Sequence, residues 1–230
     1  MTARVIHAKF RRTRSIRLRK VLIMKLYSEY TASFELLAAL CLALRQRKAR
    51  DFLETMSTYA PGDVQRFYES IRLDAGSFNI MSYAALPALA EVRQRTSDPV
   101  VLHAYEYSSV ALSRRVRQAA DQLGGTNFLT IHIHNKVKHG CLFVDDPEVL
   151  RDYYSYGADW EIGHNDSRVY VAAKLKADSS GRRRMVQPPA ILDATGEFAR
   201  KLLNNTYQLC RSAREITAMS IEMNRLGLLW

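Results

Sequence analysis

Apolar residues recur every three or four positions along much of the chain, which is the spacing of helices that bury one face. From about Leu26 this pattern predicts a long helix. Its apolar stripe consists of Tyr30, Phe34, Leu37, Cys41 and Leu44. The polar segment RQRKARD (45–51) is expected to continue the helix, and Pro61-Gly62 to stop it.

Three further helices are predicted before residue 127. Asp63 is expected to cap a short one, and another short one follows Pro87. Asp98 and Pro99 then have the residue types of an N-cap and a first helical position, and Gly124-Gly125 ends that helix. Its predicted buried face consists of Val101, Tyr105, Leu112, Val116, Ala119 and Leu123.

Beyond residue 140 the pattern changes to short runs rich in valine, isoleucine and aromatics, separated by turn residues. The runs CLFV, DWEI and RVYVAAKL predict a small sheet or hairpin over about 141–176, and DSSGRRRMVQPP (178–189) a flexible basic loop.

The last 40 residues return to the helical spacing, with a large apolar residue at every seventh position. These are Leu202, Leu209, Ile216 and Met223. Such a stripe is typical of a seam in a bundle or a dimer. We therefore predict a mainly α protein, a helical bundle with a small antiparallel β insertion before the C-terminal helix. The predicted domain is a single one over 26–230.

The charge of the chain is concentrated at its start. The net charge is +11, but residues 1–28 hold nine of the 34 basic residues and no acidic one, so the rest is nearly neutral. This basic arm (1–25) has the composition of a segment that can be disordered, and three interpretations of it stay open. The arm could contact phosphates non-specifically, it could be an organelle-targeting segment, or it could be a mistranslated leader with Met24 as the true start.

Cysteine usage and hydropathy bear on the compartment. Cys41, Cys141 and Cys210 lie far apart without a CxxC pair, which favours small buried or half-buried thiols in a reducing compartment. The longest apolar run, Leu36 to Leu44, is too short to cross a bilayer. The sequence therefore predicts a cytoplasmic protein without a membrane partner.

The segment from Asn127 to Val144 is the strongest candidate for a functional site, because polar side chains are embedded there among buried-looking ones. Its notable polar members are His132, His134, Asn135, Lys136, Lys138 and His139. A strand would separate alternate residues onto two faces, whereas a helix would group His132, Asn135 and His139. We favour the helix because 135–140 lacks alternation and ends in a glycine.

Several chemistries compete for this cluster and its surroundings. The three histidines are the right ligand type for zinc, but no acidic partner and no HExxH spacing accompany them, so no metal or other cofactor is predicted. The histidines and lysines could instead be hydrogen-bonded structural groups. His103 and Tyr107 share a helix face and are expected to pack in a core rather than line a cleft. The serines at 108, 109 and 113 lack a GxSxG context, and the acidic turn 145–148 is typical of a solvated loop.

The segment HNKVKHG (134–140) resembles the signature of HEPN domains, which are small helical bundles found in prokaryotic toxins, defence systems and RNA-processing factors. Their motif is an arginine followed by asparagine or another polar residue, with a histidine four to six residues later. Asn135, His139 and Gly140 match it, and His134 stands at the arginine position. The bundle resemblance covers roughly 26–140 and 190–228.

This resemblance implies metal-independent RNA cleavage. His139 would act as general base or acid, Asn135 would orient the substrate or the imidazole, and His134 would take the place of the cation. Lys136, Lys138 and His132 would bind the RNA. The partners expected are RNA, a second copy of the chain, and a partner protein or antitoxin. Two alternatives remain: a non-catalytic helical interaction module with a degenerate motif, and a histidine-rich metal-binding protein.

Overall fold

The computed structural model describes residues 2–47, 51–74, 78–126, 143–144, 167–171, 175–177, 183–185 and 190–229. The helices in this part of the chain are α1 (Ala3–Arg12), α2 (Ile16–Gln46), α3 (Phe52–Thr58), α4 (Pro61–Leu73), α5 (Ile80–Tyr83), α6 (Leu89–Arg95), α7 (Pro99–Thr126) and α8 (Gly196–Arg225). The strands are β1 (Phe143–Val144), β2 (Arg168–Val171), β3 (Leu175–Ala177), β4 (Arg183–Met185) and β5 (Ala190–Asp193). The protein is mainly α with antiparallel strands before the C-terminal helix, and this confirms the predicted fold class.

The chain groups into two compact units. Unit 1 comprises Met1–Thr31 and Phe128–Asn204, and unit 2 comprises Ala32–Asn127 and Asn205–Trp230. Helices α2 and α8 each contribute residues to both units. The single domain predicted over 26–230 stays a prediction.

Unit 1 contains the basic arm, which is helical. Ser15 starts α2, because its side-chain oxygen accepts from the backbone N–H of Leu18 at 3.3 Å. The long helix therefore begins ten residues before the predicted position, Leu26. Phe10 on α1 is buried, and the guanidinium of Arg19 lies 4.7 Å from the centre of its ring, a cation–π contact within the arm.

The strands of unit 1 form two antiparallel groups. β2 is the middle strand of a three-stranded sheet, with β1 on one side and β5 on the other. Arg168 stands opposite Asp193 in this sheet, and their charged groups are 3.5 Å apart. β3 and β4 form a separate pair. The predicted loop over 178–189 is thus wrong at β4, and the β region extends to β5, beyond the predicted limit of residue 176, because pairing with a distant strand decides such short segments.

Unit 2 is built on α7, against which α4, α5 and α6 pack. Of the residues predicted for the buried face of α7, Tyr105, Leu112, Val116 and Ala119 are buried and Val101 is half-buried. The side chain of Leu123 lies outside the described ones. Helix α4 is also tied to α2, since the hydroxyl of Tyr68 donates to the carbonyl of Phe34 at 3.1 Å.

Two local predictions in unit 2 are wrong. The helix predicted to continue through 45–51 ends at Gln46, and Asp51 instead caps α3 by accepting from the backbone N–H of Glu54 at 3.0 Å. Asp63 does not cap α4. It lies in the first turn, where its carboxylate accepts from the backbone N–H of Ala60 at 2.8 Å, and Pro61 is the first helical residue.

The seven-residue stripe of α8 is buried within a single chain. Leu202, Leu209, Ile216 and Met223 are all at most 3% exposed. Cys41 is also buried, which raises the pKa of its thiol to about 12, and Cys210 is half-buried. These two thiols are as predicted, while Cys141 lies outside the described residues.

The stripe predicts a large difference between two isoleucines of α8. Ile216 is 0% and Ile221 is 53% exposed. Ile216→Ala should lower the free energy of unfolding by about 2–5 kcal/mol, since it removes buried methyl groups and leaves a cavity. Ile221→Ala should change it by no more than about 0.5 kcal/mol. Urea unfolding followed by circular dichroism measures both, and similar losses in the two variants would contradict the assignment of the buried face.

Candidate functional site

The residues predicted to form the site lie outside the described part of the chain. They are His132, His134, Asn135, Lys136, Lys138 and His139. The described residues on either side of this segment are Thr126, the last residue of α7, and Phe143 in β1. The structure therefore defines the helix that precedes the predicted site and the strand that follows it. The acidic residues 145–148 also lie outside the described residues.

Helix α7 begins where the sequence predicts. The carboxylate of Asp98 accepts from the backbone N–H of Val100 at 2.8 Å, and Pro99 is the first helical residue. The helix ends at Thr126, so Gly124-Gly125 lie in its last turn rather than beyond it. The hydroxyl of buried Tyr105 donates to the carbonyl of Pro87 at 2.5 Å, and burial raises the pKa of this phenol.

Polar side chains on α7 also hold the neighbouring segments. The hydroxyl of Ser113 accepts from the backbone N–H of Ile80 at 3.1 Å, which supports the start of α5. Arg117 donates to the carbonyl of Asp74 at 2.7 Å, next to the end of α4. These contacts give both side chains a structural role.

The outer face of α7 differs from the prediction. His103 and Tyr107 were expected to pack in a core, but both are exposed, and the side chain of Tyr107 is 69% accessible. Val100 and Val110 are exposed on the same helix. The expectation of core packing is wrong because a spacing of four places two residues on one face without showing whether that face is covered.

A cluster of charged residues links α7 to α8 within unit 2. The guanidinium of Arg115 donates to both carboxylate oxygens of Glu215, with Nη1 at 3.1 Å from Oε1. Arg211 donates from Nε to the same Oε1 at 2.7 Å. The side chain of Arg115 is only 13% exposed, whereas that of Arg211 is 54% exposed. One carboxylate therefore fixes two arginines, and the second of them reaches the surface.

The electrostatics of the cluster follow from this geometry. Partial burial on its own would raise the pKa of Glu215, but the hydrogen bonds and charges of Arg115 and Arg211 outweigh burial and lower it. The hydrogen bond and charge of Glu215 raise the pKa of Arg211, and Tyr207 and Tyr107 add smaller contributions. Both tyrosines thus lie in the electrostatic neighbourhood of Arg211. We call Tyr107, Arg115, Tyr207, Arg211 and Glu215 the α7/α8 cluster.

The sequence carries a signal for only part of this cluster. Arg211 and Glu215 are four residues apart on a helix, a spacing that allows an ion pair. Arg115 lies 100 positions from Glu215 along the chain, and only the fold brings them together.

Among the described residues, no three histidine, cysteine, aspartate or glutamate side chains form a group suited to hold a metal ion. None of the helices in this part of the chain is both long enough and apolar enough to span a membrane.

Comparisons with known proteins return no match: no family model, no curated protein and no solved structure is significantly similar to this chain.

The pKa of Glu215 predicts a pH-dependent contribution to stability. Its carboxylate is paired in the folded state, so its contribution is present above the ordinary glutamate pKa of about 4.3 and is lost as pH falls through the lower folded value. At pH 7, Glu215→Gln should lower the free energy of unfolding by about 1–2 kcal/mol. The loss should shrink toward pH 3, as measured by urea unfolding at several pH values.

A matched control for this experiment is Glu222→Gln. Glu222 pairs with Arg225 on the surface of the same helix, at 3.3 Å. Exposed pairs contribute about 0–1 kcal/mol, so the control should show a smaller loss at pH 7. Equal losses in the two variants at pH 7 would contradict the special role given to Glu215.

Proposed function

We propose that this protein is an RNA-directed, HEPN-like protein of the defence or toxin type that cleaves RNA without a metal ion. The observation that carries the proposal is the position of HNKVKHG in the chain. It follows closely on α7, a helix of 28 residues, and α8, a helix of 30 residues, comes later. A mainly helical chain with the motif after a long helix is what the resemblance to HEPN domains requires.

The proposed chemistry uses the motif residues in separate roles. The imidazole of His139 takes the proton of a ribose 2′-hydroxyl, whose oxygen then attacks the adjacent phosphorus. The bond to the 5′-oxygen breaks, and that oxygen receives a proton from a general acid. Asn135 orients the substrate or the imidazole. Lys136 and Lys138 add positive charge where the phosphate becomes more negative, and His132 contributes to RNA binding.

His134 is a poorer phosphate-binding group than the arginine of the HEPN motif. An arginine keeps its charge at every relevant pH and offers a planar pair of donors to phosphate. An unperturbed imidazole has a pKa of about 6.5, so His134 would be mostly neutral above neutral pH. We therefore propose that the activity is low near neutral pH, where His134 carries little positive charge.

We also propose that the protein forms a homodimer in the cytoplasm and binds a partner protein or antitoxin. The sequence feature that favours a dimer is the heptad-like stripe of α8. That stripe is buried within one chain. The proposed dimer therefore has to use another surface to bring two motifs to one cleft.

A non-catalytic interaction module is the second candidate. It is favoured by the exposed apolar residues of α7, since Val100, Tyr107 and Val110 are all more than half exposed. Exposed apolar and aromatic groups on one helix are common in protein interfaces. In this alternative the motif is degenerate and binds without cutting.

RNA cleavage by the purified chain tests the proposal. With EDTA present throughout, the wild type should cut a labelled RNA, and His139→Ala should cut at least 100-fold more slowly, because general base catalysis contributes about 10²–10⁴-fold. His103→Ala is the matched control. His103 is an exposed histidine on α7, so its loss should leave the rate unchanged.

The other outcomes identify the alternatives. Cleavage that disappears on chelation and returns with zinc would favour a histidine metal site. If neither the wild type nor His103→Ala cuts RNA, the interaction module becomes the better description.

A gain-of-function substitution gives an independent test. His134→Arg restores the residue type of the HEPN motif and should raise the cleavage rate. The gain should be larger at pH 8 than at pH 5.5, because the histidine is already protonated at the lower pH. Single-turnover rates at both pH values measure it. A rate that falls at both values would show that His134 has a role that arginine does not fulfil.

A further inference from the structure

The α7/α8 cluster combines an exposed arginine with two exposed tyrosines at the surface of unit 2. Tyr207 precedes Arg211 by one turn on α8 and so shares its face. Tyr107 on α7 is 69% exposed, and Tyr207 is 49% exposed. Both phenols contribute to the electrostatic environment of Arg211. The surface therefore combines flat, half-accessible π faces with a guanidinium group.

The ion pair with Glu215 fixes Arg211 but engages only its Nε–H group. Its Nε–H binds Glu215, while its side chain remains 54% exposed. Within the described part of the chain, neither Nη group of Arg211 donates a hydrogen bond. The same carboxylate is also bound by Arg115, so Arg211 has less rotamer freedom to lose on binding a ligand. A guanidinium with a free outer edge is well suited to bind phosphate or carboxylate.

The charge around the cluster favours an anionic ligand. Within unit 2, helices α7 and α8 contain six arginine residues and four aspartate and glutamate residues. Arg114 and Arg214 lie next to cluster residues along the chain and are exposed. A second copy of the same surface would bring these like charges together, which disfavours a symmetric dimer at this face.

Single-stranded nucleic acid satisfies both features of the surface. Its bases offer planar faces that stack on tyrosine rings, and the phosphate between successive bases pairs with arginine. An acidic peptide would match the arginine but would not require two exposed rings beside it.

We propose that the α7/α8 cluster is a binding site for single-stranded RNA, in which Tyr107 and Tyr207 stack on bases and Arg211 binds a phosphate. The choice of RNA rests on the proposed function, but the site is separate from the HNKVKHG motif.

Binding of a fluorescent 12-nucleotide single-stranded RNA tests this site by anisotropy. The full chain carries His139→Ala as the background, so that the RNA is not cut. Tyr107→Leu, Tyr207→Leu and Arg211→Gln should each weaken binding about tenfold, in line with the loss of one stacked base or one phosphate contact. Tyr107→Phe keeps the ring and should bind within about twofold of the background protein.

Arg225→Gln is the matched control for the arginine. Arg225 lies on the same helix, is exposed, and pairs with Glu222 as Arg211 pairs with Glu215. It should change binding less than twofold. Arg115 still binds Glu215 when Arg211 is replaced, so the Arg211→Gln protein is expected to fold, and its circular dichroism spectrum and Tm check this.

Three results would overturn the proposal. The first is no binding of the RNA by the background protein. The second is an equal effect of Arg211→Gln and Arg225→Gln, which would reflect general charge alone. The third is tighter binding of a fluorescent acidic peptide than of RNA at this surface, which would make it a protein-docking site. RNA binding that depends on the cluster in a wild type that does not cut would refute the proposed cleavage and leave this site standing.

Discussion

The burial of one face of α7 is the constraint on which unit 2 depends. The buried side chains of this helix, together with the short helices α4, α5 and α6 packed against it, determine its rotation about its own axis. That rotation decides which residues reach solvent, and it places Tyr107 outward while Tyr105 points inward. It also directs Arg115 to Glu215 on α8. Core packing and surface chemistry are therefore two results of the same helix placement.

In the α7/α8 cluster a single carboxylate fixes the positions of two arginines. Glu215 is partly shielded and bound by two guanidinium groups, so its negative charge is locally neutralised. The more exposed of the two, Arg211, has its orientation fixed by that bond. A flexible arginine would lose rotamer freedom on binding a ligand, and the bond to Glu215 removes part of this cost in advance. The bond to Glu215 thus orders the Arg211 side chain in addition to contributing stability.

Local patterns in the sequence define most of the helices, because caps and apolar spacing act over a few residues. Asp98 and Pro99 mark the start of α7, and the apolar residues on its inner face are those with helical spacing. What local patterns cannot supply is the identity of distant neighbours. The strand β4 depends on pairing with β3, and Arg115 finds Glu215 only in the folded chain. The motif residues of the proposed catalytic site remain known from the sequence alone.

The apolar stripe on α8 is buried within the chain, so it is not available to bind a second copy. Its seven-residue repeat has the sequence signature of a coiled coil, yet the stripe is already covered within a single chain. Association between copies through the outer face of α8 would bring together exposed arginines such as Arg211, Arg214 and Arg225. Added salt would screen the repulsion between these like charges and promote such a contact.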